Sequence, residues 1–116
     1  MPYATQADLI ARFGAEELVQ LTDRAEAQTI DASVVTAALA DADAAIDGYL
    51  AGRYAVPVAP VPPLLLRLAA DIARYLLHGN AAPDAVRRAY DDAVKMLRDL
   101  SAGVAVLTGV AAPAPG

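Results

Sequence analysis

The chain has no cysteine and no tryptophan, a single phenylalanine (Phe13) and a single histidine (His78). Without cysteine, disulfides and thiolate-held metal sites are excluded. With so few other aromatics, the large anchoring side chains are five tyrosines. Basic residues are scarce as well: 9 Lys and Arg face 14 Asp and Glu, a net charge of −5. A surface that grips nucleic acid needs clustered Lys and Arg, so phosphate binding is not expected. Acidity does not exclude DNA passing nearby, because a negative wall repels a phosphate backbone and keeps it from sticking. Long apolar runs are missing too. The longest, near Leu64, is broken by Arg67, Asp71 and Arg74, whereas a membrane span needs roughly 20 mostly apolar residues. No charged and apolar leader is visible at the N-terminus. The expectation is a soluble intracellular protein with no membrane partner.

What is present is alanine, leucine and proline. Hydrophobic residues make up 57% of the 116 positions, and many of them are alanines. Alanine buries little area, so such faces suit close helix–helix approach better than a thick core. The length fits one domain with a hydrophobic core of its own. The most distinctive stretch lies at the centre. Asp47-Gly48-Tyr49-Leu50-Ala51-Gly52-Arg53-Tyr54-Ala55-Val56-Pro57-Val58 leads through Pro60, Pro62 and Pro63 into a leucine-rich helix.

Thr5 reads as a helix N-cap, with Asp8 three residues on. Asp in place of Glu weakens a capping box, though its charge suits the helix dipole. Leu9, Ile10 and Phe13 give an apolar face and Gly14 ends the helix. A second short helix is expected from Ala15 to Leu21, with Leu18, Val19 and Leu21 inward, broken by Thr22-Asp23-Arg24. Asp31 caps a third helix, from about Ala32 to Ala51. Its Val35, Leu39, Ala42, Ile46 and Tyr49 alternate four and three residues apart and so share one face.

Tyr54 to Pro62 is excluded from helix, because its prolines lack donors and push the preceding residues toward extended geometry. A polyproline-like or irregular strap is expected. Pro63 then opens a helix to His78. Arg67, Asp71, Arg74 and His78 form its one narrow polar stripe. A helix so apolar elsewhere must be central or covered by a partner. Gly79-Asn80 stops it. Pro83 opens the last helix, to about Leu100, with Val86, Ala89, Tyr90, Ala93, Leu97 and Leu100 inward. Its outer face carries Arg87/Asp91, Arg88/Asp92, Asp91/Lys95 and Lys95/Asp99 at ion-pair spacing. Gly103 ends it, Val104–Leu107 is a short strand or arm, and residues 111–116 are expected to be a disordered tail. The fold expected is all-α: a small helical bundle of two short N-terminal and three longer helices, with a proline-rich extended strap and a short C-terminal arm. Residues 1–110 form its single domain.

No constellation of residues carries a recognisable chemistry. Asp41, Asp43 and Asp47 resemble a metal cluster in sequence, but Asp41 and Asp43 point about 160° apart on a helix. Two carboxylates alone make a poor site, so a solvated polar face is expected. His78 ends a helix, where its protonated form suits the dipole; no partner or nucleophile for a general base can be named. Asp31-Ala32-Ser33-Val34 and Asp99-Leu100-Ser101-Ala102 both lack the Asp-Ser-Leu element of an acyl carrier. Glycine-rich phosphate loops are absent. No catalytic residue, cofactor or metal is therefore expected. Arg67, Asp71 and Arg74 suit either pairing within their own helix at the core edge or a salt bridge to a neighbouring subunit. Tyr49, Tyr54 and Tyr75 flank the strap and suit its packing on the helices or a partner.

Two segments, in this order and spacing, cover most of residues 3–107. The first is Tyr3-Ala4-Thr5-Gln6-Ala7-Asp8-Leu9-Ile10-Ala11-Arg12-Phe13-Gly14, continuing through Glu17-Leu18 to Leu21-Thr22-Asp23-Arg24. The second is Tyr49-Leu50 and Arg53-Tyr54-Ala55-Val56-Pro57-Val58, followed by Asp71-Ile72-Ala73-Arg74-Tyr75-Leu76. Together they resemble the Mu-like bacteriophage head–tail connector family, long catalogued as a domain of unknown function. The resemblance implies a helical, non-enzymatic adaptor forming a ring beneath the portal, a dodecamer if it follows portal symmetry. Such a ring extends the DNA channel and docks the tail or a stopper protein. It implies a place at the virion neck, reached from the host cytoplasm during assembly, in a phage, prophage or phage-derived particle.

A head-to-tail ring uses two different surfaces of each subunit, and its arms often gain order only on assembly. A purified subunit would then be monomeric. The interface residues expected are Arg53, Tyr54, Pro57, Arg67, Asp71, Arg74, Val104 and Val106. The alternatives are a non-viral helical protein–protein adaptor or regulatory module, and a small enzyme using His78 or the aspartates.

Overall fold

Thr5 closes a full capping box around the first helix, as seen in a computed structural model that describes residues 2–23 and 28–112. Its hydroxyl accepts from the Asp8 N–H, and the Asp8 carboxylate accepts from the Thr5 N–H at 2.8 Å. The shorter Asp therefore serves as well as Glu here. The helix it starts is α1 (Gln6–Phe13). Gly14, at φ 92°, ends α1 and begins α2 (Ala15–Thr22), a backbone angle that favours glycine.

Thr22 is the last residue of α2 and not part of its breaker. It is fully buried; its hydroxyl donates to the Leu18 carbonyl at 2.7 Å and accepts from the Asp31 N–H at 2.9 Å. One side chain thus ties the end of α2 to the cap of α3 (Ala32–Leu50). Arg24, expected to belong to the breaker, lies outside the described residues.

α4 (Pro63–His78) has the bounds read from the sequence, with Pro63 at its first turn. A short 3-10 turn (Gly79–Ala81) separates it from α5 (Asp84–Ala102). α5 runs two residues past Leu100 and ends, as expected, where Gly103 turns left-handed at φ 78°.

The fold is an all-α bundle, elongated to about 50 × 27 × 21 Å. α4 is its axis: it packs chiefly on α3 and α5 and also meets α1 and α2. That explains its nearly all-round apolar surface. Leu65, Leu68 and Ile72 are buried on it, along with Ala69, Ala70 and Ala73. Ala38 and Ala42 of α3 and Ala93 of α5 are buried in the same core. The alanine faces thus serve close approach within the subunit.

Among the described residues there is no strand. Val104–Leu107 is an irregular segment folded back on the strap. None of the four expected pairs on the outer face of α5 closes to 4.0 Å; the contact formed is Arg87–Asp84 at 3.9 Å. Long exposed side chains gain too little from such pairing to be held in one geometry. The expected tail lies largely outside the described residues. Within them, no helix is long and apolar enough to cross a membrane.

Candidate functional site

The strap is fastened at both shoulders to its own chain. At the N-terminal end Tyr54 is buried, and its hydroxyl accepts from the Leu107 N–H at 2.9 Å. The Ala55 N–H donates to the Ala111 carbonyl at 2.9 Å. Arg53 is exposed yet engaged: Nε donates to the Ser101 carbonyl at 2.9 Å and Nη2 to the Ala102 carbonyl at 3.3 Å. A guanidinium there satisfies orphan carbonyls at the negative end of α5. It lies so close to Gly103 that a Cβ at that position would stand 2.6 Å from Nη2.

The other shoulder is held by Tyr3, which sequence reasoning passed over. Its ring is 2% exposed. Its hydroxyl accepts from the Val58 N–H at 2.8 Å and donates to the Asp47 carboxylate. The Tyr3 N–H donates to Asp43 at 3.0 Å. Burial, with Asp47 as acceptor and neighbouring charge, pushes the Tyr3 hydroxyl up to about 12. Burial likewise pushes the Asp43 carboxyl above its ordinary value, against the lowering effect of the Tyr3 N–H. These aspartates do not form the solvated face expected of them. They are half-buried acceptors that seat the N-terminal segment. The signals were a tyrosine just before the first N-cap and two carboxylates one helical turn apart. Their partner, about 40 residues away, was not legible. Among the described residues no three His, Asp or Glu side chains gather as a metal site.

Between its two shoulders the strap turns apolar atoms outward. Val56–Pro57 and Ala59–Pro60 are cis, and residues 54–62 carry no regular secondary structure. Pro57, Ala59 and Pro60 are exposed, and residues 57–61 line a hollow of about 380 Å³. Val104 and Val106, at 79% and 68% exposure, stand out from the C-terminal segment, whose Leu107 is buried. Arg53, Tyr54, Val104 and Val106 thus gather at one shoulder, and Pro57 sits by the other. Tyr54 faces its own core.

Arg67, Asp71 and Arg74 lie elsewhere, along α4. Arg74 makes a two-pronged pair with Glu17 of α2, at 2.8 and 2.7 Å, and its guanidinium sits 4.2 Å from the Phe13 ring centroid. Its partner is thus on another helix of the same chain, an option the helical spacing alone did not offer. Burial raises the Asp71 carboxyl, while Arg12, Arg67 and Arg74 nearby draw it back. Arg67 is exposed. His78 Nε2 is buried with no hydrogen-bond partner among the described residues. Tyr75 stacks on Tyr90, centroids 4.1 Å apart, and joins α4 to α5 rather than to the strap.

The residues that build these contacts fall inside one family match. Residues 3–115 match the family described as Bacteriophage Mu, Gp36. The chain belongs to the Gp36 family. Two relatives agree with that assignment. The Mu-like prophage FluMu protein gp36 of Haemophilus influenzae is 41% identical over 101 residues, covering 87% of this chain and 72% of the relative. Gene product J of Escherichia phage Mu is 40% identical over 105 residues, covering 89% and 74%. The Gp36 match thus takes in Tyr3, the strap and the C-terminal segment that fastens it. It places the chain among phage and prophage proteins.

Proposed function

We propose that this chain is a structural head–tail connector subunit that works by assembly and performs no catalysis. Copies form a ring between portal and tail, a dodecamer where portal symmetry is followed. The ring extends the DNA channel and docks a tail or stopper protein at the virion neck. Membership of the Gp36 family supports a virion role, and one feature of the fold carries the connector reading: a strap stapled at both shoulders that presents Pro57, Ala59 and Pro60 outward, beside a C-terminal segment that presents Val104 and Val106. Apolar groups held outward on a braced scaffold suit burial against another protein surface. The net charge of −5 suits a channel through which DNA slides without specific binding.

Interrupting the gene in an inducible phage or prophage tests this. The expected result is DNA-filled heads and finished tails that fail to join, seen by electron microscopy of the lysate. Intact particles would count against it, and so would loss of the heads themselves.

A further inference from the structure

Val104 and Val106 are the most exposed large aliphatic side chains among the described residues. They do not sit on a loose end. The Ala105 N–H donates to the Asp99 carbonyl at 3.1 Å, and the Leu107 N–H donates to the buried Tyr54 hydroxyl at 2.9 Å. Leu107 itself is buried. The two valines are thus held outward by a backbone fastened on its inner side, so docking them costs little further chain entropy. Basic groups flank this knob. Exposed Arg53 uses Nε and Nη2 on the last carbonyls of α5, and its Nη1 makes no hydrogen bond among the described residues. Arg98 is exposed one turn before Ala102, and the carboxylate beside it, Asp99, is half-buried. Further up the helix Lys95 is set against Asp91 and Asp92. Those two carboxylates stand about 15 Å from Ala102, given a rise of ~1.5 Å per residue, farther than the ~8 Å over which exposed charges act at physiological salt. The knob therefore carries two exposed guanidiniums against one half-buried carboxylate.

Another part of the surface has the opposite character. The N-terminal segment, α3 and the strap enclose a groove of about 530 Å³. Its lining is mostly apolar, from Pro2, Ala4, Leu39, Ala40 and Pro57, with the Asp43 and Asp47 carboxylates on its wall. Tyr3 engages Oδ1 of each, which leaves both Oδ2 atoms without a hydrogen bond among the described residues. The amino terminus also acts on Asp43, and two carboxylates against that one ammonium leave the groove negative. α3 carries no Lys or Arg to neutralise it. No lining residue comes from α5 or the C-terminal segment, so knob and groove are separate surfaces.

We infer that the groove beside α3 accepts the Val104–Val106 knob of a second copy of this chain, with Arg53 and Arg98 of that copy set toward the Asp43 and Asp47 carboxylates. The two valines suit the apolar walls, and burying them removes exposed aliphatic surface from water. The guanidiniums suit the rim, because a methylene stem lies on apolar walls while the charged head reaches a carboxylate. Two separate, complementary surfaces on one chain generate a contact that propagates into a ring or a filament, not a closed pair. The inference rests on the connector reading and names the surfaces through which its ring would close.

The test mixes copies that each lack one half of the contact. Val104→Asp with Val106→Asp removes the knob, and Ala40→Trp fills the groove. All three positions are exposed, and urea unfolding checks that the fold survives. Association is followed by analytical ultracentrifugation up to the solubility limit of the chain. Wild type should grow beyond dimers, and added salt should weaken it. The knob variant alone should lose affinity by about a hundredfold, roughly tenfold for each valine. The groove variant alone should lose as much. The two mixed should associate again but stop at a one-to-one dimer, because one intact knob then meets one intact groove. Arg98→Glu should weaken the wild-type contact severalfold. A mixture that stays monomeric while wild type associates would overturn the inference, as would an Ala40→Trp chain that associates as wild type does. Wild type that remains monomeric throughout also overturns it. None of these outcomes touches the connector reading, which particle microscopy judges separately.

Discussion

Replacing Tyr3 with phenylalanine removes one oxygen and keeps the ring that fills the core. That oxygen is both acceptor for the Val58 N–H and donor to Asp47. Val58 is 3% exposed, so its N–H would be left without a partner. An unpaired buried N–H costs about 1–3 kcal/mol, and a hydrogen bond to a charged group is worth about 1.5–3 kcal/mol. Tyr3→Phe is therefore expected to destabilise the fold by about 2.5–6 kcal/mol, a large part of the roughly 5–15 kcal/mol a domain of this kind has.

The alkaline limb gives a second, independent signature. Below the ordinary tyrosine value of 10.0 the phenol is protonated in both the folded and the unfolded chain. Between that value and about 12 the unfolded chain loses its proton first, so stability falls as pH rises. The full loss is about 2.7 kcal/mol at ~1.36 kcal/mol per unit, and about half of it is gone by about pH 11. Urea unfolding of wild type, Tyr3→Phe, Asp47→Asn and the double variant, at about pH 7 and about pH 11, measures both effects. Subtracting the Tyr3→Phe curve isolates Tyr3 from the other tyrosines. A variant within about 0.5 kcal/mol of wild type at neutral pH, with the alkaline limb unchanged, would refute the clamp.

Arg74→Gln should cost about 1–2 kcal/mol of monomer stability, since it removes a two-pronged, partly exposed pair and the contact over Phe13. A double-mutant cycle with Glu17→Gln should show coupling, and strictly additive effects would contradict the pairing. Asp71→Asn should leave stability unchanged or raise it at neutral pH, because burial disfavours the charged form and no hydrogen bond is lost. The folded value lies above the unfolded 3.8, so wild type regains the difference as pH falls through that window; thermal unfolding across mild acid should show the gap closing. Gly103→Ala should cost about 1–2.5 kcal/mol, from a backbone at φ 78° and a methyl group that displaces the Arg53 guanidinium. The same change in an Arg53→Ala background should cost less, as measured by the shift in Tm.

The helices were legible because their signals are local. Thr5 and Asp31 are caps, Pro63 opens α4, and the four-and-three spacing from Val35 to Ile46 marks the buried face of α3. The central place of α4 followed from its lack of polar circumference. The strap's anchors were legible only in part. Tyr54 and Arg53 drew attention through the motif they sit in, yet their contacts with Leu107, Ser101 and Ala102 span about 50 residues of sequence. Tyr3 with Asp43 and Asp47, and Glu17 with Arg74, are pairings that only the tertiary fold creates. Sequence periodicity assigned Asp43 and Asp47 to a solvated face and offered Arg74 a partner only on its own helix or on another subunit. The fold spends them on holding the chain's own segments together, and leaves Arg12, Arg67, Val104 and Val106 as side chains turned outward.

The most direct measurement is a cryo-electron microscopy reconstruction of the neck of particles produced by the phage or prophage that carries this gene. The account predicts a ring of copies of this five-helix fold between portal and tail. In it Pro57, Pro60, Val104 and Val106 would be covered by protein, and the strap still fastened to its own Tyr3 and Leu107. Density for the chain anywhere else in the particle, or a complete neck that lacks it, would contradict the account.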